Sequence, residues 1–270
     1  LQTDSIDIYL LHALTKNDWD KVRKLRVLDF LDDSLSSGKI KHVGFSSHTE
    51  IDTFVDILDA YPKWEVVLTQ MNYLDEYYQT GVMGLDELKR PNIGSMIMEP
   101  LRGGRLVQNI PPEVQKLWNG AEVKRTPVEW ALEYLWNRDD VDCVLSGMNS
   151  LEQVRQNIQI ASDVKEISEH DHDLIREVAR TYKTLTGNDC TCCGYCMPCP
   201  EDVDIINCFK EYNIGKMLNN PKGSALQYFT LIDDDCRADS CINCGECEFV
   251  CPQMLDIPQE LEKVDEYFGR

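Results

Sequence analysis

Val66-Val67-Leu68-Thr69-Gln70-Met71 is an almost continuous apolar run, and it is the central one of five such runs. Each run gives way to a loop and then to a segment whose apolar residues have helical spacing. Runs of this kind suit strands that are buried on both faces, as in a parallel sheet covered by helices. The sequence therefore predicts an α/β fold whose strands lie at residues 6–11, 42–45, 66–71, 93–98 and 141–145.

The segments between and after these runs carry helix start signals. A Ser or Thr followed three residues later by an acid or an amide is typical of a helix N-terminus, and Pro suits the first helical turn. These signals predict helices that begin near Thr49, Pro112, Pro127, Ser150 and Ser168. Further on, helical spacing over residues 205–218 and 224–231 is interrupted by a stretch rich in Asn, Pro and Gly, which predicts two separate helices.

Polar and Gly residues follow several of the five strands, at the edge where an α/β barrel assembles its active site. The alternative, an open dinucleotide-binding sheet, lacks its G-x-G-x-x-G signature in this sequence. An α/β barrel closes with eight strands, whereas only five candidates are found. We therefore expect the C-terminal five βα units of a (β/α)8 TIM barrel, strands 4 to 8 of the intact fold, with the N-terminal part of the barrel absent from this sequence.

Two cysteine runs near the C-terminus form a separate pattern. The second run reads Cys241-Ile-Asn-Cys244-Gly-Glu-Cys247-Glu-Phe-Val-Cys251-Pro252. Its spacing is the one by which bacterial ferredoxins hold cubic iron-sulfur clusters. The first run, residues 190–200, aligns with it as an internal repeat, except that two residues and not three separate its last two cysteines.

The two runs predict two 4Fe-4S clusters with crossed ligation, because in two-cluster ferredoxins the last Cys of each run binds the cluster of the other. Zinc and disulfides are the alternatives. Zinc sites space their Cys pairs farther apart, and disulfides need an oxidising compartment, whereas no secretory signal opens the chain. The expected ligands are Cys190, Cys193, Cys196 and Cys251 for one cluster, and Cys241, Cys244, Cys247 and Cys199 for the other.

Composition separates these two patterns and limits the function. Of the 12 cysteines, 11 lie at or beyond residue 190, which predicts a partial barrel over residues 1–186 and a small, mostly helical cluster domain over residues 187–270. The formal charge of −20 argues against binding nucleic acid; it either favours a basic partner, such as an electron-transfer protein, or only keeps the chain soluble. No apolar run is long enough to span a membrane, so we expect a cytoplasmic protein.

With these residues assembled, the chain resembles the aldo-keto reductases, specifically the group that carries a C-terminal ferredoxin-like extension. The similar stretches occur in the family's order and are spread over nearly the whole chain. They are residues 1–12, Gly38-Lys-Ile-Lys-His-Val-Gly-Phe-Ser46, Glu99-Pro-Leu-Arg-Gly-Gly-Arg105, Val144-Leu-Ser-Gly-Met148 and the cysteine run that begins at Cys190.

The resemblance implies an oxidoreductase that transfers hydride reversibly between NADPH or NADH and a small-molecule carbonyl or alcohol. The family uses a catalytic Asp, Tyr, Lys and His, and His12 matches the His. The other three belong to the strands expected to be missing, so we expect this fragment to be inactive. The alternative for His12 is a structural role, in which its side chain hydrogen-bonds to the backbone at the end of the strand. A non-catalytic electron-transfer module on a barrel scaffold is the alternative for the whole chain.

The resemblance also implies which residues contact the dinucleotide. Where Gln153 stands, family members that prefer NADPH often carry an Arg, and a neutral amide cannot pair bidentately with a 2′-phosphate, which slightly favours NADH. Gln153 is also a candidate capping partner of Ser150, and both roles can coexist. The implied contacts are Ser46 or Ser47 and Gln70 for the carboxamide, Pro100, Leu101 and Arg102 for the pyrophosphate, and Gly147, Gln153 and Asn157 for the adenosine end.

Overall fold

The computed structural model describes residues 3–89, 92–251 and 253–269 of the chain. Five strands form one sheet, pairing in chain order, and all four pairs are parallel. The five predicted strands and the parallel sheet are therefore confirmed. The strands are β1 (Ile6–Leu14), β2 (Ile40–Ser47), β3 (Val66–Gln70), β4 (Gly94–Met98) and β5 (Cys143–Val144).

Eleven α-helices are present in the described part of the chain. The first seven alternate with the strands or follow them: α1 (Lys16–Lys24), α2 (Val27–Ser36), α3 (Ile51–Asp59), α4 (Gly81–Lys89), α5 (Pro112–Gly120), α6 (Pro127–Trp136) and α7 (Leu151–Ser162). The remaining four are α8 (Glu169–Thr184), α9 (Ile205–Met217), α10 (Pro221–Leu231) and α11 (Ile257–Phe268). None of the described helices is both long and apolar enough to cross a membrane.

The centre of the sheet is close-packed, as the continuous apolar runs predict. Phe45 of β2 is fully buried and packs against Phe54 of α3 and Trp64, with ring centroids 5.7 and 5.0 Å away. Beside it, a Cβ on Gly44 would lie only 1.9 Å from the carbonyl oxygen of Val66 on β3. A side chain at position 44 would therefore force the two strands apart.

Most predicted helix starts are confirmed. Pro112 and Pro127 open α5 and α6, and the Ser150 hydroxyl caps α7 by accepting from the Gln153 N–H. The Ser168 hydroxyl likewise accepts from the Asp171 N–H at 3.1 Å, next to the beginning of α8.

Three sequence predictions need correction. The Thr49 hydroxyl does not cap α3; Glu50 is the N-cap residue, because the Thr49 hydroxyl is bonded to that of Ser47 at 2.8 Å. Helix α10 begins at Pro221 and not at residue 224, because the Asn220 side chain caps it and Pro fits its first turn. Strand β5 is shorter than its apolar run. The Asp142 carboxylate accepts the Ser95 N–H at 2.7 Å, where a longer strand would offer a backbone carbonyl.

The chain divides into two compact units. The sheet unit comprises Leu1–Leu106 and Arg125–His172, and it contains all five described strands. The cysteine unit comprises Val107–Lys124 and Asp173–Arg270, and its described elements are helices. The boundary at residues 186 and 187 stays a prediction.

The cysteine unit has an apolar core of its own. Residues from α9, α10 and α11 form it, among them the fully buried Phe209 and Val264. Six of the eight predicted ligands are partly buried and pack against this core, whereas Cys193 and Cys244 are exposed. Those six are Cys190, Cys196, Cys199, Cys241, Cys247 and Cys251.

Candidate functional site

Parallel pairing brings the carboxyl ends of the strands to one edge of the sheet. The buried Ser46 and Ser47 end β2, and their hydroxyls bond to the backbone of the neighbouring β1. Ser46 Oγ accepts from the Ala13 N–H at 2.6 Å, and Ser47 Oγ donates to the Leu14 carbonyl at 3.3 Å. His12 lies in β1 just before Ala13 and Leu14, and its side chain is exposed.

A hydrogen-bonded cluster connects the end of β3 to the loop after β4. One carboxylate oxygen of Asp75 accepts from Gln70 Nε2 at 3.0 Å, from Asn72 Nδ2 at 3.0 Å and from Arg102 Nε at 2.9 Å. Gln70, Asn72 and Asp75 are buried. The structure thus brings the expected site residues Gln70 and Arg102 together through a shared partner. Pro100 is buried and Leu101 is half-buried in the same loop.

The residues expected at the adenosine end lie after β5 and on α7. Asn157 Nδ2 donates to Ser146 Oγ at 2.8 Å, which ties α7 to the loop after β5. The Gln153 side-chain oxygen accepts from the Asn149 N–H at 2.9 Å, and its backbone N–H donates to Ser150. The capping role of Gln153 is therefore confirmed. Gly147 is exposed in the same loop, and no atom lies within 4 Å of the position that a Cβ would take.

In the cysteine unit, each predicted set of four cysteines lines one cavity. Cys199, Cys241, Cys244 and Cys247 line a cavity of about 210 Å³. A second, narrower cavity of about 20 Å³ is lined by Cys190, Cys193, Cys196 and Cys251. Cys196 borders both cavities, and Cys192 also borders the narrower one. The crossed pairing of Cys199 with the second run and of Cys251 with the first is thus present in the fold.

The internal repeat of the two cysteine runs is also a repeat of backbone conformation. Gly194 and Gly245, at matching positions, both have positive φ, +81° and +74°. The equivalent residues Asp204 and Asp256 cap α9 and α11, each accepting a hydrogen bond from the backbone N–H three residues later. Matching loops followed by matching helices place the last cysteine of each run beside the first three of the other.

Burial and close packing of the cysteines disfavour the thiolate form in both cavities. Burial raises the pKa of the Cys196 thiol, and Cys190, Cys193 and Cys251 raise it further because thiolates so close together repel one another. Burial likewise raises the pKa of Cys247 to about 11, with Cys241 and Cys244 adding to the effect. Four thiols of this kind deprotonate together only beside a metal centre, which offsets their negative charge.

The donor set and the wider cavity fit a cubic cluster. In the described residues, no three His, Cys, Asp or Glu side chains are arranged to hold a metal ion. A cubic cluster needs a different arrangement of ligands from that of a single metal ion, because each thiolate binds a different iron atom and the ligands surround a cavity. The narrower cavity, at about 20 Å³, is smaller than such a cluster requires. All 12 cysteines are free thiols.

Sequence reasoning missed Asp75. Its ion pair cannot be read from the sequence, because its partner Arg102 is 27 residues away and the contact depends on how two loops meet. The only local indication is Asn72, whose side-chain oxygen accepts from the N–H groups of Leu74 and Asp75 and so forms a turn typical of Asn.

Comparisons with known proteins agree with the sheet unit. The model of the aldo/keto reductase family matches residues 1–180. L-galactose dehydrogenase from Arabidopsis thaliana is 25% identical over 196 residues, which are 66% of this chain and 59% of that protein.

Solved structures give the same match at the level of the fold. The holo form of an aldo-keto reductase from Bacillus halodurans is 22% identical with a TM-score of 0.52, covering 66% of this chain and 62% of that one. An aldo-keto reductase from Klebsiella pneumoniae in complex with NADPH is 18% identical with a TM-score of 0.51, covering 66% and 60%. The chain spans about three-fifths of the length of these relatives.

Proposed function

The chain belongs to the aldo/keto reductase family, and on that premise we propose that it is part of an oxidoreductase that combines nicotinamide-linked carbonyl chemistry with two 4Fe-4S clusters. The single observation that carries the cluster half of the proposal is the crossed lining of the two cavities by the two cysteine quartets. One quartet is Cys190, Cys193, Cys196 and Cys251, and the other is Cys199, Cys241, Cys244 and Cys247.

The dinucleotide half of the proposal is supported by the carboxyl edge of the sheet. The buried Ser46 and Gln70 and the partly buried Arg102 are each held by a hydrogen bond or ion pair, so their remaining polar atoms are presented in a fixed geometry. NADPH is bound to the Klebsiella pneumoniae relative, which shares the fold. In this chain, Gln153 in place of a basic residue favours NADH over NADPH.

His12 is the proposed catalytic residue within this chain. When hydride reaches a carbonyl carbon, negative charge develops on the oxygen, and a neighbouring imidazole can align that oxygen by hydrogen bonding. The proton must come from an acid, which in this family is a Tyr activated by a Lys. We propose that the Asp, Tyr and Lys precede residue 1 in a longer protein and that residues 1–270 alone do not turn over substrate.

The clusters are proposed to exchange single electrons with another protein. Nicotinamide gives two electrons together, whereas each cluster passes one, so direct exchange is unfavourable without a flavin or a substrate radical. Tyr195 and Ile242 border the wider cavity with exposed apolar side chains. Residues 190–209 and 238–262 contain no Lys or Arg but contain nine acids. An apolar, acidic surface of this kind favours an electron-transfer protein with a basic face.

The second candidate function is an electron-transfer module in which the partial barrel is only a scaffold. The cysteine unit, with its own core, favours this candidate. The genomic reading frame upstream of Leu1 separates the two. Three further βα units containing the Asp, Tyr and Lys support the enzyme, whereas a translation start at Leu1 excludes it.

Calorimetric titration of the reconstituted chain with NADH and NADPH tests the dinucleotide half. We expect saturable binding of both, with NADH bound more tightly, and no turnover of carbonyl substrates. Heat changes no larger than those of dilution, for both nucleotides, would contradict dinucleotide binding while leaving the cluster proposal unaffected.

A further inference from the structure

The Asp75 carboxylate is the shared acceptor of three side chains, which reach it from the end of β3, from the loop after β3 and from the loop after β4. A single oxygen receives Gln70 Nε2, Asn72 Nδ2 and Arg102 Nε, all at 2.9 to 3.0 Å. The exposed fraction of the Asp75 side chain is only 10%. A buried carboxylate surrounded by donors orients all of them, because each loses a charge-assisted hydrogen bond if it turns away.

These contacts leave particular atoms of Gln70 and Arg102 for a ligand. Since Nε2 of Gln70 donates to Asp75, its Oε1 is the atom that can accept from a ligand N–H, such as a carboxamide. Arg102 uses Nε toward Asp75, whereas its buried Nη1 has no hydrogen-bond partner in the described structure. A buried guanidinium N–H without an acceptor is costly, and an anionic oxygen is the acceptor that satisfies it best.

The backbone of the loop after β4 is also held by a side chain of this cluster, Asn72. Glu99 and Arg102 both have positive φ, +55° and +50°, which is unfavourable for residues with a side chain. Asn72 Nδ2 donates to the Glu99 carbonyl at 3.3 Å as well as to Asp75. A hydrogen bond from the residues after β3 thus holds this loop in a conformation that contains two residues with positive φ.

We infer that Asp75 is a positioning residue of the dinucleotide site: it presents Gln70 as an acceptor to the nicotinamide carboxamide and Arg102 as a donor to the pyrophosphate. The inference rests on the proposed dinucleotide binding. It adds that the two contacts are coupled through one carboxylate, which itself touches no ligand.

The test is calorimetry on the full chain with NADH and with ADP-ribose, which lacks the nicotinamide. Asp75→Asn keeps the size of the side chain but removes its charge. We expect it to weaken both ligands about tenfold, the loss of one charge-assisted hydrogen bond. In an Arg102→Ala background, the same change should alter the ADP-ribose affinity less than about twofold, because Asp75 acts on the pyrophosphate only through Arg102.

Asp140→Asn is the matched control. Asp140 also carries an ion-paired carboxylate, with Arg138 at 2.8 Å, and its side chain is 8% exposed. It lies beside Ser95 near the beginning of β4, at the opposite edge of the sheet. This variant should keep both affinities within about twofold of the wild type. Thermal melting of each variant checks that it is folded.

Three outcomes overturn the inference. Unchanged affinities in a folded Asp75→Asn chain would leave Asp75 only a structural role, and so would an equal loss in the Asp140→Asn control. A full tenfold loss from Asp75→Asn in the Arg102→Ala background would show that it does not act through Arg102. If the wild-type chain binds neither ligand, the inference fails together with the proposed dinucleotide binding, and this result is distinguishable from the others.

Discussion

The sheet unit and the cysteine unit hold their candidate functional side chains by different means. In the sheet unit, Ser46, Gln70 and Arg102 are each held in place by a hydrogen bond or ion pair to another protein group. In the cysteine unit, most of the predicted ligands pack half-buried against a small helical core and line two cavities. The proposed clusters would supply both cross-links and charge balance there. The sheet unit is thus preorganised by its fold, whereas the cysteine unit would be organised by the clusters that we propose for it.

Removal of the clusters should produce the largest difference between the units. After reconstitution, treatment with chelator and oxidant should increase hydrogen exchange in residues 190–209 and 238–256 by about a hundredfold or more, because metal binding is coupled to local folding. Exchange in β2 and β3 should change little. Hydrogen exchange followed by mass spectrometry resolves both regions in one experiment, and equal exchange in the cysteine runs before and after removal would contradict the comparison.

Gly44→Ala should destabilise the sheet unit and leave the cysteine unit unchanged. Its Cβ would meet the Val66 carbonyl oxygen at 1.9 Å in the middle of the sheet, so we expect a loss of about 3 kcal/mol in the unfolding free energy of the sheet unit. The iron content of the reconstituted variant should be unchanged. Gly94→Ala in β4 is the control, since the nearest atom to that Cβ position, the Glu65 carbonyl oxygen, lies 3.5 Å away. A Gly44→Ala chain as stable to urea as the wild type would show that β2 and β3 do not pack as described.

Asp171→Asn should destabilise the sheet unit by about 2 kcal/mol at neutral pH. Burial alone would raise the pKa of Asp171, but the N–H and hydroxyl of Ser168 and the guanidinium of Arg125 outweigh burial and lower it. A carboxyl whose pKa is lowered by folding contributes stability above its unfolded pKa and loses it as the pH falls through the folded pKa.

The difference in unfolding free energy between Asp171→Asn and the wild type should therefore be largest near neutral pH. It should shrink below about pH 4, where the carboxyl becomes protonated. Urea unfolding at several pH values measures it. Asp86→Asn, which removes an exposed ion pair with Lys89, is the control and should cost less than about 0.5 kcal/mol. A pH-independent difference would mean that the charge of Asp171 does not contribute.

The smallest effect is expected from Cys192→Ala. Cys192 borders the narrower cavity but lies outside the ligand spacing, at the position that Asn243 occupies in the second run. Iron content should stay within experimental error, whereas Cys193→Ala should lose about half of the iron. Iron and sulfide analysis of both variants measures this difference. An equal loss from the two variants would make Cys192 a ligand and would change the register of the first run.

Sequence patterns predicted the local structure well and the contacts between loops poorly. The apolar runs located the five strands, and Ser150 and Pro127 marked the beginnings of their helices, because these features depend on neighbouring residues. The crossed lining of the cysteine cavities followed from an internal repeat. The contact between Asp75 and Arg102 and the true cap of α3 were missed, since both depend on side chains that compete for partners in three dimensions.

Mössbauer spectroscopy of the chain reconstituted with isotopically enriched iron, together with iron and sulfide analysis, tests the central claim most directly. Two crossed quartets of thiolates predict about eight iron and eight sulfide per chain, all in cubic clusters. A colourless chain after anaerobic reconstitution, or one that holds zinc and no sulfide, would contradict the account.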